Sequence, residues 1–536
     1  MRNGIIGRKH EMQILEELYA SDKAEFAAVY GRRRIGKTFL IDKLFGDKYD
    51  FYMTGIYEGT RKEQLTNFAH QLESYSGKKA KTPKDWMEAF FALQSYLETK
   101  VSKERVIIFI DELPWLDTPR SRLLKSFELF WNEWVSKHDN MKLIVCGSAT
   151  TWMTNKLLGN KGGLHNRVTM PIYLRPFNLA ETEEFLLSRG FSFGRKQVVE
   201  TYMSLGGTPF YLDMLRKSES VAQNIDRLFF RDNSPLRTEY GFLFKSLFKE
   251  SSLYRKVVEC LARKLKGMTR KEILSEVKCD DSGFFSEVLA DLCNCDFIRR
   301  YSAFGRNERD MMYQLTDLYT LFYLRYVKSY NGGDIDYWSH RQMDISSWQG
   351  YAFEQVCLHH IQQIKISLGI SGILANVCSF SWQAFTDKNG KEHRGGQIDL
   401  IINRGDKTIN LCEMKYVSGK FSISQDYARH LAERREAFRS LTSTDKNGKE
   451  HRGGQIDLII NRGDKTINLC EMKYVSGKFS ISQDYARRLA ERREAFRSLT
   501  STDKTLHLTM ITSEGIEHNE GWHTIQSELT LDDLFC

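Results

Sequence analysis

Apolar residues recur at helical spacing between residues 8 and 20, at Met12, Ile14, Leu15 and Leu18, so the chain opens on an amphipathic helix. The pattern then becomes a continuous apolar run, Phe26 to Tyr30, which predicts a short strand buried on both faces. A glycine-framed loop follows directly, and Phe39 to Phe45 returns to helical spacing. Two more apolar runs have the same character. Val106 to Ile110 ends at Asp111 and Glu112, and Lys142 to Cys146 ends at Gly147 and Ser148. Helical patterns separate these runs. Strands alternating with helices, each strand apolar throughout, predict an α/β fold built on a parallel sheet.

From about residue 176 the pattern is mostly helical. Three short helices are predicted over 253–264, 270–277 and 283–292, then two strand-like runs, 297–301 and 311–315, around a polar turn at Gly305. A helix trio followed by a hairpin is the order of a winged helix-turn-helix. The expected organisation is a nucleotide-binding core over 1–175, a helical lid over 176–245, the winged helix over 246–330 and a C-terminal α/β domain over 331–536.

In the C-terminal third, residues 386–443 recur as 444–501 with one difference, His430 against Arg488. Structural repeats normally diverge between units. A recent tandem duplication or a sequence-assembly artefact would each produce this identity.

Composition narrows the class without deciding it. The 41% hydrophobic and 27% charged fractions are those of a globular protein. No run of about 18 apolar residues predicts a membrane span, and the N-terminus lacks the apolar core of a secretory signal. The ten cysteines are scattered without metal-ligand spacing, which fits reduced thiols and a cytoplasmic location. A net charge of +9, spread over 536 residues, permits nucleic-acid binding without demanding it.

The strongest chemical signal is Gly31-Arg32-Arg33-Arg34-Ile35-Gly36-Lys37-Thr38, placed between a strand and a helix. Glycines at this spacing let the main chain curl so that its N–H groups face a phosphate chain. The helix N-terminus adds partial positive charge. Lys37 would reach the β- and γ-phosphates and Thr38 would ligate Mg²⁺. Of the two carboxylates ending the 106–110 run, Asp111 would hold Mg²⁺ and Glu112 would polarise the attacking water. Ser148 is a candidate sensor of the γ-phosphate. Arg167 is a candidate stabiliser of transition-state charge, or a plain surface residue. Arg32, Arg33 and Arg34 would meet either phosphate or acidic neighbours.

A second constellation lies near the C-terminus. Asp399 sits in an apolar strand, and a turn leads to a second strand bearing Glu413 and Lys415, two residues apart and therefore on one face. Two carboxylates and a lysine on one face suit a divalent metal, with Asp399 and Glu413 as ligands. Glu354, on a helix expected over 350–361, would complete the set. The repeat supplies the same residues as Asp457, Glu471 and Lys473. Only one hairpin can occupy the native place in a single core. The first copy is favoured as functional, with the spare hairpin and its basic helix (484–499) on a sheet edge or swapped between chains.

These motifs carry a resemblance. Val29 to Thr38, Val106 to Trp115 (VIIFIDELPW), Cys146-Gly-Ser148 and Gly206-Gly-Thr-Pro-Phe-Tyr-Leu212 resemble the prokaryotic, archaeal-type AAA+/STAND-group P-loop ATPases. Ile6-Gly-Arg-Lys9 resembles the adenine-side entry motif of that group, with Lys9 in place of the usual acidic residue. Asp317 to Tyr323 resembles the segment that follows the winged helix in the group. Glu354, Asp399 and Glu413-x-Lys415 resemble the PD-(D/E)xK nuclease-like fold. The resemblance implies ATP and Mg²⁺ as cofactors.

Three functions follow. One is an ATP-hydrolysing switch coupled to a DNA-directed or partner-binding C-terminal module. Another is a nucleotide-dependent regulatory binding protein without nuclease chemistry. The third is an ATP-gated, metal-dependent DNA nuclease. The 282–292 helix carries Glu287 and Asp291 and no Lys or Arg, which argues against deep insertion in a major groove. A protein partner and an oligomer fit all three readings; a membrane fits none.

Overall fold

The structure is a computed structural model. It describes residues 4–367 except 149, 160–163, 165, 249–250, 302–310, 335 and 341–344. Beyond 367 it describes 369, 371–372, 375–386, 392–393, 396–404, 408–416, 452–454, 458–461, 466–474, 478–483, 505–512, 515–519, 522–525 and 527–535.

The chain begins with α1 (Lys9–Ala20), β1 (Glu25–Tyr30), α2 (Lys37–Phe45), β2 (Tyr49–Thr54), α3 (Arg61–Ser76) and α4 (Trp86–Leu97). It continues with β3 (Val106–Asp111), α5 (Leu113–Leu116), α6 (Leu123–Glu133), β4 (Met141–Gly147), α7 (Thr150–Trp152) and β5 (Met170–Tyr173). The five strands form one parallel sheet in the order β2-β3-β4-β1-β5. Their two-sided burial follows from the apolar runs. In β1, Phe26 and Ala28 enter one core while Ala27 and Val29 enter the other, and Val106, Ile108 and Ile110 alternate in the same way with Ile107 and Phe109. Each fully buried Phe, Ile or Leu contributes about 1.5–3 kcal/mol. The phosphate loop leaves β1 between β4 and β5, the point in an open parallel sheet where a crevice forms.

The next segment is helical: α8 (Leu179–Ser188), α9 (Arg195–Leu205), α10 (Pro209–Leu212), α11 (Val221–Ile225) and α12 (Pro235–Leu247). The start of α8 is fixed by Asn178, whose side chain accepts from the Glu181 N–H while the Glu181 carboxylate accepts from the Asn178 N–H. Then come α13 (Ser251–Arg263), β6 (Met268–Thr269), α14 (Arg270–Val277), α15 (Gly283–Asn294), β7 (Ile298–Tyr301) and β8 (Met312–Leu315). The three strands pair antiparallel in the order β6-β8-β7. Helices α16 (Leu318–Phe322), α17 (Tyr337–His340), α18 (Ser346–His359) and α19 (Ile361–Ser367) follow. One apolar core runs without a break from Phe177 through the helices to Ile364 and takes in Leu529, Leu531, Leu534 and Phe535.

The remaining strands are β9 (Ala375–Thr386), β10 (Glu392–His393), β11 (Gly396–Arg404), β12 (Thr408–Tyr416), β13 (Arg452–Gly454), β14 (Leu458–Asn461), β15 (Thr466–Tyr474), β16 (Phe479–Ser480), β17 (Thr505–Thr512), β18 (Ile516–Glu517) and β19 (Ser527–Leu529). Both repeats enter one sheet. β11 pairs with β9, β12 runs parallel to β15, and β15 runs parallel to β17. The second hairpin was expected on an edge or swapped; instead β15 lies inside the sheet. The physical reason is pairing on both sides: Leu411 to Tyr416 on one flank and Thr505 to Thr512 on the other. The basic segment 484–499, read as a helix, lies outside the described residues.

Candidate active site

The loop between β1 and α2 is held by its glycines. Gly31 has φ +145°, and a Cβ there would lie 2.2 Å from the Leu174 carbonyl oxygen, so no other residue fits. Gly36, with φ +88°, caps α2 and lets Lys37 start the helix. Lys37 is buried and folds back on the loop, its Nζ donating to the Gly31 carbonyl at 3.1 Å and the Arg32 carbonyl at 3.0 Å. Those two bonds hold the loop curled around the ammonium.

The end of β3 meets the loop. Thr38 Oγ1 donates to Asp111 Oδ2 at 2.9 Å, and the Glu112 N–H donates to Asp111 Oδ1 at 3.0 Å. Burial, and next the Glu112 carboxylate, push the Asp111 pKa up, against hydrogen bonds from the Cys146 thiol and Thr38. A buried carboxylate whose negative charge is destabilised, with a hydroxyl oxygen beside it, is a set of hard oxygen donors that fits Mg²⁺. Sequence reasoning missed the Cys146 thiol, since an apolar strand interior gives no sign that its cysteine faces the carboxylate.

Glu112 has a left-handed backbone, φ +46°, at the turn into α5. That conformation is costly for a non-glycine residue and marks a constrained site. Its carboxylate accepts twice from Ser148, from Oγ at 2.5 Å and from the N–H at 3.0 Å. The two strand ends read independently in the sequence are therefore one hydrogen-bonded unit.

Acidic neighbours take two of the three loop arginines, Arg32 and Arg34. Arg32 is 2% exposed, and its Nη1 lies 2.5 Å from Asp317 Oδ1. Its guanidinium also sits over the Phe297 ring, 4.9 Å from the centroid. Burial would lower the Arg32 pKa, but Asp317 more than reverses this and the net shift is upward. Arg34 pairs with Glu239 on α12 at 2.9 Å and stacks on Phe210 at 4.1 Å. Arg33 is half-buried. Ile35 is buried, and its carbonyl accepts from Arg8 Nη2 at 3.2 Å. The Arg8 N–H donates to Glu181 of α8 at 2.8 Å, so the entry motif ties the loop to the first lid helix. Lys9, where the motif departs from its relatives, is exposed. Arg167 is exposed in the turn ahead of β5.

In the C-terminal sheet, β11 and β12 pair antiparallel with Leu400 opposite Cys412. Continued by one residue, that register sets Asp399 opposite Glu413. Helix α18, which carries the half-buried Glu354, packs against β12. On β15, Glu471 lies directly across from Glu413, and Lys473 from Lys415. Asp457 lies outside the described residues. Among the described residues no group of three or more His, Cys, Asp or Glu side chains forms a metal site, and no helix is long and apolar enough to cross a membrane.

Comparison with known proteins agrees with the nucleotide loop. Residues 5–215 match the family model of an ATPase domain found predominantly in Archaea. An uncharacterized protein of Methanocaldococcus jannaschii is 28% identical over 423 residues, covering 77% of this chain and 87% of its own. An uncharacterized ATP-binding protein of the same organism is 44% identical over 43 residues, 8% of this chain and 73% of its own. Among solved structures, a Walker-type ATPase of Pyrococcus abyssi aligns with a TM-score of 0.43 at 17% identity, over 60% of this chain and 97% of its own. The sheet, the loop from Gly31 to Thr38, the acidic strand end at Asp111 and the family match together identify residues 5–215 as an archaeal-type P-loop ATPase domain.

Proposed function

We propose that the protein is an ATP-hydrolysing switch whose nucleotide state is passed from the phosphate loop to the C-terminal half. The observation that carries this reading is the buried Arg32–Asp317 ion pair, which joins a residue inside the loop to the first turn of α16. In this mechanism Lys37 leaves the Gly31 and Arg32 carbonyls for the β- and γ-phosphates. Thr38 and Asp111 would hold Mg²⁺, which would neutralise charge on the phosphate chain. Ser148 donates its hydroxyl to the γ-phosphate, which frees one oxygen of Glu112 to orient the attacking water. Arg167, exposed ahead of β5, is the candidate to stabilise charge in the transition state. The loop shift that accompanies Lys37 moves Arg32 and Arg34 and, through Asp317 and Glu239, the helices they grip.

The segment 246–330, read as a winged helix, and the sheet beyond it form the output module, directed at DNA or at a protein partner. The test is phosphate release measured with and without Mg²⁺ in the full chain and in Lys37→Ala. Release that survives this substitution sinks the reading.

The register of Asp399 and Glu413 beneath α18 favours a second reading of the output module, as a metal-dependent nuclease. Asp399, Glu413 and Glu354 would hold the metal, with Lys415 beside them. Cleavage of DNA by the full chain, and its loss in Lys415→Ala combined with Lys473→Ala, would support it. No cleavage at any divalent metal leaves the binding role alone.

A further inference from the structure

Arg32 and Arg34 flank Arg33 in the phosphate loop, and each gives its charge to a buried carboxylate, Asp317 and Glu239 respectively. Arg33 does not. Its side chain is half-buried, and among the described residues it makes no hydrogen bond, ion pair or ring contact. It acts at a distance on Glu239, which Arg34 and the Tyr211 hydroxyl already hold. Three guanidiniums in one tight loop repel one another. Carboxylates offset two of them, and the third is left for an anion that the loop's neighbours do not supply.

The strand order says where that charge lies. Arg33 follows the end of β1 and Tyr57 follows the end of β2. In the order β2-β3-β4-β1, the ends of β3 and β4 lie between them, carrying Asp111 with Glu112, and Ser148. The three strand steps span about 14 Å. Burial and then Glu58 raise the Tyr57 pKa, and Arg33 acts on the same hydroxyl in the opposite sense. The Arg33 guanidinium therefore reaches from β1 toward β2, across the acidic strand ends. Tyr57 is itself tied to those ends. Its ring stands edge-on to Trp115 at 5.4 Å, and the Trp115 N–H donates to the Glu112 carbonyl at 2.9 Å. The Gly55 N–H donates to the Asp111 carbonyl at 2.9 Å.

We infer that Arg33 is a catalytic residue of the nucleotide site, placing its guanidinium on the outer oxygens of the γ-phosphate from within the phosphate loop itself. The inference rests on the ATP-hydrolysing reading and gives it a charge-stabilising group in the same chain, beside the candidate Arg167. In hydrolysis the water oxygen bonds to the γ-phosphorus and the bond to the β–γ bridging oxygen breaks. The water's proton passes to Glu112, and negative charge collects on the bridging oxygen of ADP and on the outer phosphoryl oxygens. A guanidinium offers paired N–H donors to two such oxygens, and one set in place beforehand needs no reorganisation as the charge grows.

The test uses the full chain. Phosphate release and ADP affinity are measured in the wild type and in Arg33→Ala, and ADP binding with Mg²⁺ is repeated with aluminium fluoride, a mimic of the phosphoryl group in transfer. In Arg33→Ala turnover should fall at least about 100-fold, with ADP affinity within roughly threefold of the wild type. The variant should also lose the gain in ADP affinity that aluminium fluoride gives the wild type. Millimolar guanidine should return part of the turnover to Arg33→Ala and none to Lys37→Ala. Turnover that Arg33→Ala leaves intact, a fall matched by an equal loss of ADP affinity, or an aluminium fluoride gain that survives in the variant overturns the assignment of Arg33 alone. A wild-type chain that releases no phosphate sinks the hydrolytic reading and this inference with it, so the two failures are distinguishable.

Discussion

Ser148 holds Glu112 with both its hydroxyl and its backbone N–H, one donor to each carboxylate oxygen. A carboxylate held on both oxygens by one residue has a fixed orientation and limited capacity to accept from a water. Whatever takes the Ser148 hydroxyl therefore decides when Glu112 can act.

Ser148→Ala removes the hydroxyl and keeps the N–H. One hydrogen bond to a charged group is worth about 1.5–3 kcal/mol. Phosphate release at saturating ATP should fall about tenfold, with ATP affinity changed less than threefold. Steady-state kinetics with nucleotide binding by calorimetry checks both, and an unchanged rate would remove Ser148 from the mechanism.

Glu112→Gln preserves shape and keeps one acceptor oxygen for Ser148 but cannot accept a proton. Turnover should drop by roughly 10²–10⁴, while Mg-ATP still binds and stays intact on the protein. Rapid hydrolysis of bound ATP by this variant in a single-turnover experiment would contradict the role assigned to Glu112.

The Arg32–Asp317 pair predicts a stability signature. Asp317→Ala leaves a buried guanidinium without its carboxylate and should cost roughly 3–5 kcal/mol. The double variant Arg32→Met with Asp317→Leu should recover most of that loss, because no buried charge remains. Urea unfolding of the three proteins measures the difference. If the double variant recovers stability but loses nucleotide-dependent protection of α16 from hydrogen exchange, the pair serves communication rather than folding.

A pH dependence follows from His360. It is fully buried at the C-terminal cap of α18, accepts from the Leu179 N–H at 2.9 Å through Nε2 and donates through Nδ1 to the Val356 carbonyl. Burial, first of all, lowers its pKa from 6.5 to about 4. The unfolded chain therefore binds the extra proton more readily. The stabilisation is complete above pH 6.5 and is lost as pH falls from there toward 4, by about 3 kcal/mol in total. Equilibrium unfolding from pH 7.5 to 4.5 should show this slope, and His360→Gln should flatten it.

Much of the nucleotide site was legible because it is local. The Gly31–Thr38 loop is set by backbone freedom at two glycines, and the carboxylates and Ser148 by where apolar strands end. The parallel sheet and the helices of 251–315 follow from the same short-range patterns. The strands β2 and β5 were not recognised: β2 mixes Tyr49, Asp50 and Thr54 with its apolar residues, and β5 is short and contains Pro171.

The contacts between regions were not legible. Arg8 meets Glu181 across 173 residues, Leu179 meets His360 across 181, and Arg32 meets Asp317 across 285. An arginine beside a phosphate loop has the same local pattern whether it faces phosphate or a distant carboxylate. The repeated hairpin poses the same difficulty, since two identical strands have identical propensities and only their neighbours β9 and β17 decide where each one pairs.

The sequence by itself determined the curled loop, the acidic strand end and the alternation that buries both faces of the core sheet, because each depends on a few neighbouring residues. Only the tertiary structure decided where Arg32 and Arg34 point, that Ser148 restrains Glu112, and that both repeats share one sheet. Those depend on chain segments brought together by a common core, and no local pattern encodes which distant partner will be within reach.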